Sequence, residues 1–460
     1  MRRDDILPSV PLQASALTQN SGVAPQHLRI HPFLMFNEHI ETTVLPNGIR
    51  VVSETVDYVQ SVSIGIWVGV GERDEPTTHL GISHFIEHML FKGTERRSAR
   101  EIADAIESRG GHLNAFTDKE YTCFYASALA EDAPLVMDVL SDMLTHSVLD
   151  AEEIEREKRV VLEEIKLHND TPEDLVHDLF AQTLWRRHPL GRPVIGQTRT
   201  VSALQRDDLV RYMHAHYTPD HIVVAASGNV PHAQIADLTQ RYLGNLQGTR
   251  RVRRGNPPVP SGAAKIVRRP TEQVHFCIGS QAFSHTDDER YPLTILDTVL
   301  GGNMSSRLFQ EIREKRGLAY NIGSYSLSYR EGGLFVIYGG TSPHTFHQVM
   351  DLTRAEMAKI KEQSITDEEL AKAKTQIRGA LVLGLESMRG RMMRMGKSLL
   401  YYGRVIPLDE ITTKINNVTH RDIVRVASTL FDDRALTLAA VGPLPRGTKN
   451  GAKAGLEDVE

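Results

Sequence analysis

The chain has 460 residues, of which 24% are charged and 40% hydrophobic, values typical of a soluble globular protein with more than one domain. Its formal net charge of −5 argues against a nucleic-acid-binding surface, and no apolar run approaches the roughly 20 residues that span a bilayer. The two cysteines, Cys123 and Cys277, provide no disulfide framework, and the first residues resemble neither a secretory signal nor a transit peptide. We therefore expect a cytoplasmic protein with neither a nucleic-acid nor a membrane partner.

Regular structure is predicted to begin after residue 40, because residues 1–40 show no periodicity and are expected to form a flexible extension. Asn47-Gly48 between two apolar runs predicts a β-hairpin. The patterns that follow predict an antiparallel sheet with helices, forming one unit over residues 41–246. The predicted strands are 43–45, 49–52, 62–68, 112–116, 121–125 and 222–226, and the predicted helices are 80–91, 98–108, 133–146, 151–168, 173–184, 202–216 and 231–243.

The predicted helix 80–91 is apolar around most of its circumference and should be buried, with Thr77 or Thr78 as its N-cap and Gly93 just past its end.

Apart from Ser83, the polar side chains of that helix are His84, Glu87 and His88, which lie on one arc. Two imidazoles one turn apart can hold a metal ion, and a carboxylate beside them can take a proton from water. The alternative is three ordinary buried side chains, although burying them without partners costs several kcal/mol. Because an H-x-x-E-H pattern also arises by chance, the motif needs support from elsewhere.

The segment 247–262 holds four arginines and three prolines and is predicted to be an interdomain linker, with a docking patch as the alternative. Beyond it, the run starting at Val274 echoes the run starting at Val62, an offset of 212. Gly442 likewise echoes Gly228, an offset of 214. These offsets predict an internal duplication of two α+β halves, the second spanning 263–445 and followed by a flexible tail, 446–460.

The duplication tests the polar arc. Adding 212 to positions 84, 87 and 88 gives Leu296, Val299 and Leu300, in a helix predicted over 293–300. This alignment predicts that the fold does not require polar groups at these positions and that the first half carries them for another reason.

A third metal ligand is predicted on the helix that starts at residue 151. Glu157 and Glu164 lie two turns apart on one flank of its apolar stripe, so either can reach a metal at the edge of the core. Glu153 shares that flank, whereas Glu163 points away. By spacing alone, a solvated charged face is an equal alternative.

The pattern His84-x-x-Glu87-His88, followed 76 positions later by Glu164, resembles the pitrilysin-type (M16) zinc peptidases. Within them it is most similar to the subfamily of the mitochondrial processing peptidase β subunit and its bacterial relatives, over residues 42–443. The resemblance implies two homologous halves in a clam-shell architecture and one zinc ion per chain, bound by His84, His88 and Glu164. It further implies that Glu87 is the general base and that Glu157 supports the site.

Two further segments match this family. The segment from Gly110 to Thr117 matches the sheet-edge strand to which a peptide adds, which implies substrate contacts by Asn114, Ala115 and Phe116. Without the resemblance, a plain hairpin is favoured.

In the second half, the resemblance implies that Arg313 and Tyr320 contact substrate near the zinc, in the same chain or from a partner chain. Otherwise they are an exposed helix arginine and a strand tyrosine. The loop 301–305 is short where the non-catalytic α subunit has a long glycine-rich loop. A homodimer is therefore expected, with a heterodimer with a related subunit as the alternative.

The predicted function is that of a zinc-dependent endopeptidase that hydrolyses peptides or unfolded protein segments. Glu87 is expected to activate the water that attacks a zinc-polarised carbonyl. The alternatives are a non-catalytic assembly or processing-complex subunit of the same fold, and a zinc hydrolase that acts on a non-peptide.

Overall fold

A computed structural model describes residues 39–249 and 255–444. Nearly all of the predicted N-terminal extension, the arginines of the linker and the C-terminal tail lie outside these described residues. The five-part domain division stays a prediction. No helix in the described ranges is both long enough and apolar enough to cross a bilayer.

In the first half the described elements are β1 Ile40–Val44, β2 Arg50–Thr55, β3 Ser61–Val68, α1 Ile82–Leu90, α2 Ala99–Glu107, β4 His112–Thr117, β5 Thr122–Leu129, α3 Ala133–His146, α4 Ala151–Asp170, α5 Pro172–Leu184, α6 Thr198–Ala203, α7 Arg206–His216, β6 Ile222–Gly228 and α8 His232–Leu243. In the second half they are β7 Ala264–Arg268, β8 Val274–Ala282, α9 Arg290–Leu300, β9 Ala319–Ser328, β10 Gly333–Thr341, α10 Phe346–Gln363, α11 Asp367–Gly384, α12 Met388–Tyr402, α13 Leu408–Asn416, α14 His420–Leu430 and β11 Thr437–Gly442.

Most predicted elements are confirmed, but the helix predicted over 202–216 is wrong as a single element. The chain forms α6 and α7 instead, because Leu204 and Gln205 adopt extended backbone angles between them. The Asp208 carboxylate accepts a hydrogen bond from the Gln205 backbone N–H at 2.9 Å. This bond satisfies a donor at the start of α7 and so stabilises a new helix N-terminus there.

The two halves have the same sheet topology. The strand orders are β1-β2-β6-β3-β5-β4 and β7-β11-β8-β10-β9, so the second sheet repeats the first without its edge strand β1. In both sheets one pair is parallel, β2 with β6 and β7 with β11, and the other neighbours are antiparallel. The predicted α+β duplication is confirmed.

The strand register explains the sequence offsets. Ser63 faces Ser227 in the first sheet, and the positions 212 and 214 residues later, His275 and Val441, face each other in the second. Gly228 has φ of +142°, and a Cβ there would lie 2.2 Å from a backbone carbonyl oxygen. Gly442, at the equivalent position, has φ of +154°. Both strands therefore end at a backbone conformation that favours glycine.

Each half supplies one helix to the sheet of the other half. Helix α5 packs against β8 and β11, where Phe180 shares a buried cluster with Cys277. Helix α12 packs against β2, β3 and β6, where Met392 and Met395 share a buried cluster with Trp67. Because helices cover both faces, the central strands are buried almost throughout, and their sequences are nearly continuous apolar runs.

Gly396 of α12 tests this packing. A Cβ at Gly396 would lie 2.2 Å from the Trp67 ring nitrogen, and the Trp67 side chain is buried. We expect Gly396→Ala to lower the free energy of unfolding by about 1–3 kcal/mol, as overpacking does. In contrast, Gly379→Ala on α11, where a Cβ meets nothing within 4 Å, should raise it by roughly 0.5–1 kcal/mol. Chemical denaturation of both variants checks this pair, and equal stabilisation of both would contradict the packing described.

Candidate metal centre

Helix α1 is buried as predicted, but its predicted N-cap is wrong. The helix begins at Ile82 after Gly81, which has φ of +92° and takes the cap position in place of Thr77 or Thr78. A Cβ at Gly81 would lie 2.9 Å from the Ile195 carbonyl oxygen, so close packing against the neighbouring chain also favours glycine there. Gly93 stands past the helix end with φ of +127°.

The structure brings His84, His88 and Glu164 together. Their ligand atoms all lie within 4.8 Å of one another, and these three residues form a group that could hold a metal ion. The two Nε2 atoms are 3.3 Å apart, and Glu164 Oε2 is 3.6 Å from His88 Nε2. Two nitrogens that each lie about 2.0–2.1 Å from a tetrahedral zinc ion are about 3.3 Å apart, so the donor set fits zinc.

Glu157 orients His88. Its Oε1 lies 2.8 Å from His88 Nδ1, and its Oε2 lies 2.6 Å from Lys92 Nζ. Because Nδ1–H donates to this carboxylate, the lone pair of the histidine is on Nε2, which faces His84 and Glu164. Burial opposes ionisation of Glu157, but the hydrogen bonds from His88 and Lys92 outweigh burial and lower its pKa.

The spacing of the glutamates on α4 does not decide which of them is the candidate metal ligand. In the structure they differ in exposure. The Glu157 side chain is 5% exposed and lies behind His88, whereas the Glu164 side chain is 41% exposed and lies at the mouth of the group. Glu163 points to solvent and pairs with Lys166, and Glu153 pairs with Arg156.

Burial raises the pKa of Glu87, although a hydrogen bond from Thr117 and the charge of His88 oppose this rise. Thr117 Oγ1 donates to Glu87 Oε2 at 2.5 Å. Burial, with a smaller effect from His88, lowers the pKa of His84 to about 4, so its ring is neutral at pH 7. A neutral imidazole can act as a ligand, and a carboxylate made more basic by burial suits a proton acceptor.

The segment that contains Asn114, Ala115 and Phe116 is the edge strand β4, which pairs with β5 on one side only. Asn114 is exposed, and its Oδ1 accepts a hydrogen bond from the Ala115 backbone N–H at 2.8 Å. That N–H therefore points away from β5, toward the free edge of the sheet. Phe116 lies on the face of the sheet opposite Ala115 and packs with Trp67, their ring centroids 6.0 Å apart.

Arg313 and Tyr320 lie together, in a cavity that no residue of the metal group lines. The Arg313 guanidinium carbon is 5.0 Å from the centre of the Tyr320 ring, and the Tyr320 side chain projects into solvent at 77% exposure. The two residues line a cavity of 180 Å³, together with Glu173 of α5 and His275 of β8. None of the residues that line this cavity belongs to the metal group.

The sequence patterns did not single out three residues that contact the site: Lys92, Thr117 and Glu75. Thr117 could have been found from the two-residue alternation of β4, which places it on the same face as Ala115. Lys92 lies four residues after His88, so helical spacing could have found it, and it pairs with Glu157. Glu75 lies before the helix and contacts the Gly81 and Ser83 backbone N–H groups, which no periodicity of α1 indicates.

The sequence matches the family of insulinase (peptidase family M16) over residues 50–198 and the peptidase M16 inactive domain over residues 203–377. An uncharacterised zinc protease of Streptomyces coelicolor is 42% identical over 419 residues, covering 88% of this chain and 90% of that protein. An uncharacterised zinc protease of Bacillus subtilis is also 42% identical, over 393 residues, covering 85% of this chain and 96% of that protein.

The chain belongs to the M16 peptidase family. Two solved structures show the same fold. A protease from Helicobacter pylori aligns with a TM-score of 0.83 at 22% identity, covering 88% of this chain and 99% of that one. A peptidase M16 inactive domain from Pseudomonas fluorescens aligns with a TM-score of 0.83 at 16% identity, covering 92% of this chain and all of that one. The predicted M16 resemblance and clam-shell fold class are confirmed.

The Glu157 contact yields a test on this M16 chain. We expect Glu157→Gln to weaken zinc binding about 10–100-fold, because an amide orients His88 less firmly than a carboxylate does. The matched control is Glu163→Gln on the same helix, whose exposed side chain lies outside the group. Competition with a chromophoric chelator measures both affinities, and equal affinities would show that Glu157 does not support the ligand set.

Proposed function

We propose that this M16 chain is a zinc-dependent endopeptidase that hydrolyses peptides or unfolded protein segments. The observation that carries the proposal is the convergence of His84, His88 and Glu164 on one point, with Glu87 on the same helix as both histidines. One zinc ion per chain matches the one such group found among the described residues.

A zinc ion held by these residues would polarise the scissile carbonyl and lower the pKa of a bound water. Glu87 takes the proton of the attacking water and later passes it to the leaving amine, a role that suits a carboxyl whose pKa is raised by burial. Thr117 holds one oxygen of Glu87, and Glu157 keeps His88 in the ligating tautomer.

The unpaired edge of strand β4 favours a peptide as the substrate. An extended peptide can pair with this edge as an added strand, and Thr117 connects the edge directly to Glu87. Strand addition requires an extended backbone, which supports unfolded segments rather than folded proteins as substrates. Asn114, Ala115 and Phe116 are the proposed contacts.

The proposal extends to assembly and location. The cavity that Arg313 and Tyr320 line contains no residue of the metal group, so we propose that closure of the two halves or a second chain brings this pair to the scissile bond. We propose a homodimer, in which the partner chain can supply this pair. A processing-peptidase role and a cytoplasmic location remain predictions.

Replacing the general base gives the direct test. We expect wild type and Glu87→Gln to bind zinc equally at one ion per chain. Hydrolysis of a peptide library should fall about 10²–10⁴-fold in the variant, because its amide cannot accept the proton. Metal analysis and mass spectrometry of the cleaved peptides measure both quantities. Glu163→Gln serves as the control and should cleave like wild type. A wild type without zinc, or equal cleavage by both proteins, would point to a non-catalytic M16 protein.

Strand addition predicts a two-residue periodicity in substrate recognition. N-methylation of one backbone amide at a time along a good substrate should raise KM at alternate positions only, because alternate N–H groups of an added strand face β4. Steady-state kinetics on the methylated series measures this, with methylation at the substrate termini as the control. A uniform loss at all positions, or none, would contradict pairing with β4.

A further inference from the structure

Helix α1 has no side chain of its own at its N-cap. The cap position is Gly81, and Thr78 bonds the neighbouring His79 instead, with Oγ1 and Nδ1 2.9 Å apart. The first backbone N–H groups of a helix have no partner within the helix and need acceptors from elsewhere, all the more so when the helix is buried.

The Glu75 carboxylate, six residues before Gly81, supplies these acceptors. Glu75 Oε2 accepts from the Gly81 backbone N–H at 2.6 Å, and Oε1 accepts from the Ser83 backbone N–H at 2.8 Å. The Glu75 residue is only 4% exposed. Both oxygens are thus used by the same helix end, and both accept from N–H donors. Burial raises the pKa of Glu75 to about 7, whereas the hydrogen bonds from Ser83 and Gly81 favour the ionised form. A negative charge at a helix N-terminus is also favoured by the helix dipole.

Glu75 is itself firmly held. Its backbone carbonyl accepts from Arg192 Nη1 at 3.0 Å. On the helix side, Ser83 Oγ lies 3.0 Å from the Tyr212 hydroxyl, and Thr200 Oγ1 donates to the Leu80 carbonyl at 2.7 Å. These contacts come from three other segments of the first half, so the start of α1 is fixed from several directions.

We propose that Glu75 is a positioning residue that sets the axial position and rotation of α1 in the active site. Ser83, which Glu75 binds, immediately precedes His84. Glu87 and His88 follow within the next five residues of the same rigid helix. A small shift of this helix end therefore moves both proposed ligands and the proposed base together. The inference rests on the proposed function, because it assigns Glu75 to that same site.

The chemistry requires two acceptors in one side chain. Glutamine offers one acceptor oxygen and places an NH₂ group against the second backbone N–H, which leaves that donor without a partner. Aspartate keeps the charge and both acceptors but is one methylene shorter. Glu75→Gln and Glu75→Asp therefore separate the loss of an acceptor from the loss of reach.

The experiment compares these two variants with Ser98→Ala. Ser98 caps the neighbouring helix α2 through the Glu101 backbone N–H at 3.3 Å, so its loss removes a cap away from the metal group. We expect Glu75→Gln to weaken zinc binding about 10–100-fold and to lower kcat by a similar factor, with KM nearly unchanged. Glu75→Asp should retain a higher zinc affinity and a higher kcat than Glu75→Gln. Ser98→Ala should lower Tm without changing zinc affinity or kcat.

Amide hydrogen exchange in the metal-free protein gives a readout independent of zinc and activity. Exchange at Ser83 should accelerate in Glu75→Gln and stay at the wild-type rate in Ser98→Ala. If Glu75→Gln does not fold, the same comparison is made with Glu75→Asp. Wild-type zinc affinity, kcat and Ser83 exchange in the folded variant would overturn the inference. So would an equal loss of zinc affinity in Ser98→Ala. A wild type that binds no zinc would instead overturn the proposed function, while the exchange rate would still decide whether Glu75 holds α1.

Discussion

Each half packs one helix, α5 or α12, against the sheet of the other half, and the metal group depends on this packing. Only Thr171 separates α4, which carries Glu157 and Glu164, from α5, which is buried on the second sheet. The end of α4 is further fixed by a hydrogen bond from Arg269 to the Asn169 carbonyl. The position of the proposed ligand Glu164 is therefore set partly by the second half, which contributes no ligand to the group.

A polar arc can lie at the edge of the first-half core because its groups have partners. His88 is paired with Glu157, Glu87 with Thr117, and the start of the helix with Glu75. Within the described residues, His84 Nδ1 is the exception, buried without a hydrogen-bond partner. In the second half, α9 repeats the burial pattern of α1 at an offset of 210, so the predicted apolar equivalents Leu296, Val299 and Leu300 are wrong. The equivalents of His84, Glu87 and His88 are Thr294, Asp297 and Thr298. This arc is therefore polar in both halves, and the first half differs in having two histidines on it.

Periodicity predicted the helices, the duplication and the histidine pair, because these features repeat over short distances. It could not decide between Glu157 and Glu164, which share one flank of α4. Their difference is depth relative to α1, a relation between two helices. The predicted cap is wrong for a different reason. The acceptor Glu75 lies only six residues before Gly81, but it is not at the N-cap position that the capping pattern considers. Contacts made by tertiary packing leave little trace in local patterns.

The second half also clarifies what the Thr117 contact does. Gly65 faces Tyr125 and Cys277 faces Tyr338, so the register makes Ser326 of β9 the equivalent of Thr117. Ser326 and Ser324 donate to the Asp297 carboxylate on α9, at 3.4 and 2.5 Å. A hydroxyl on the edge strand therefore binds a carboxylate on the adjacent helix in both halves, and Asp297 occupies the helical position of Glu87. This shared link ties helix to edge strand as part of the fold, and the first half uses it to hold the proposed base.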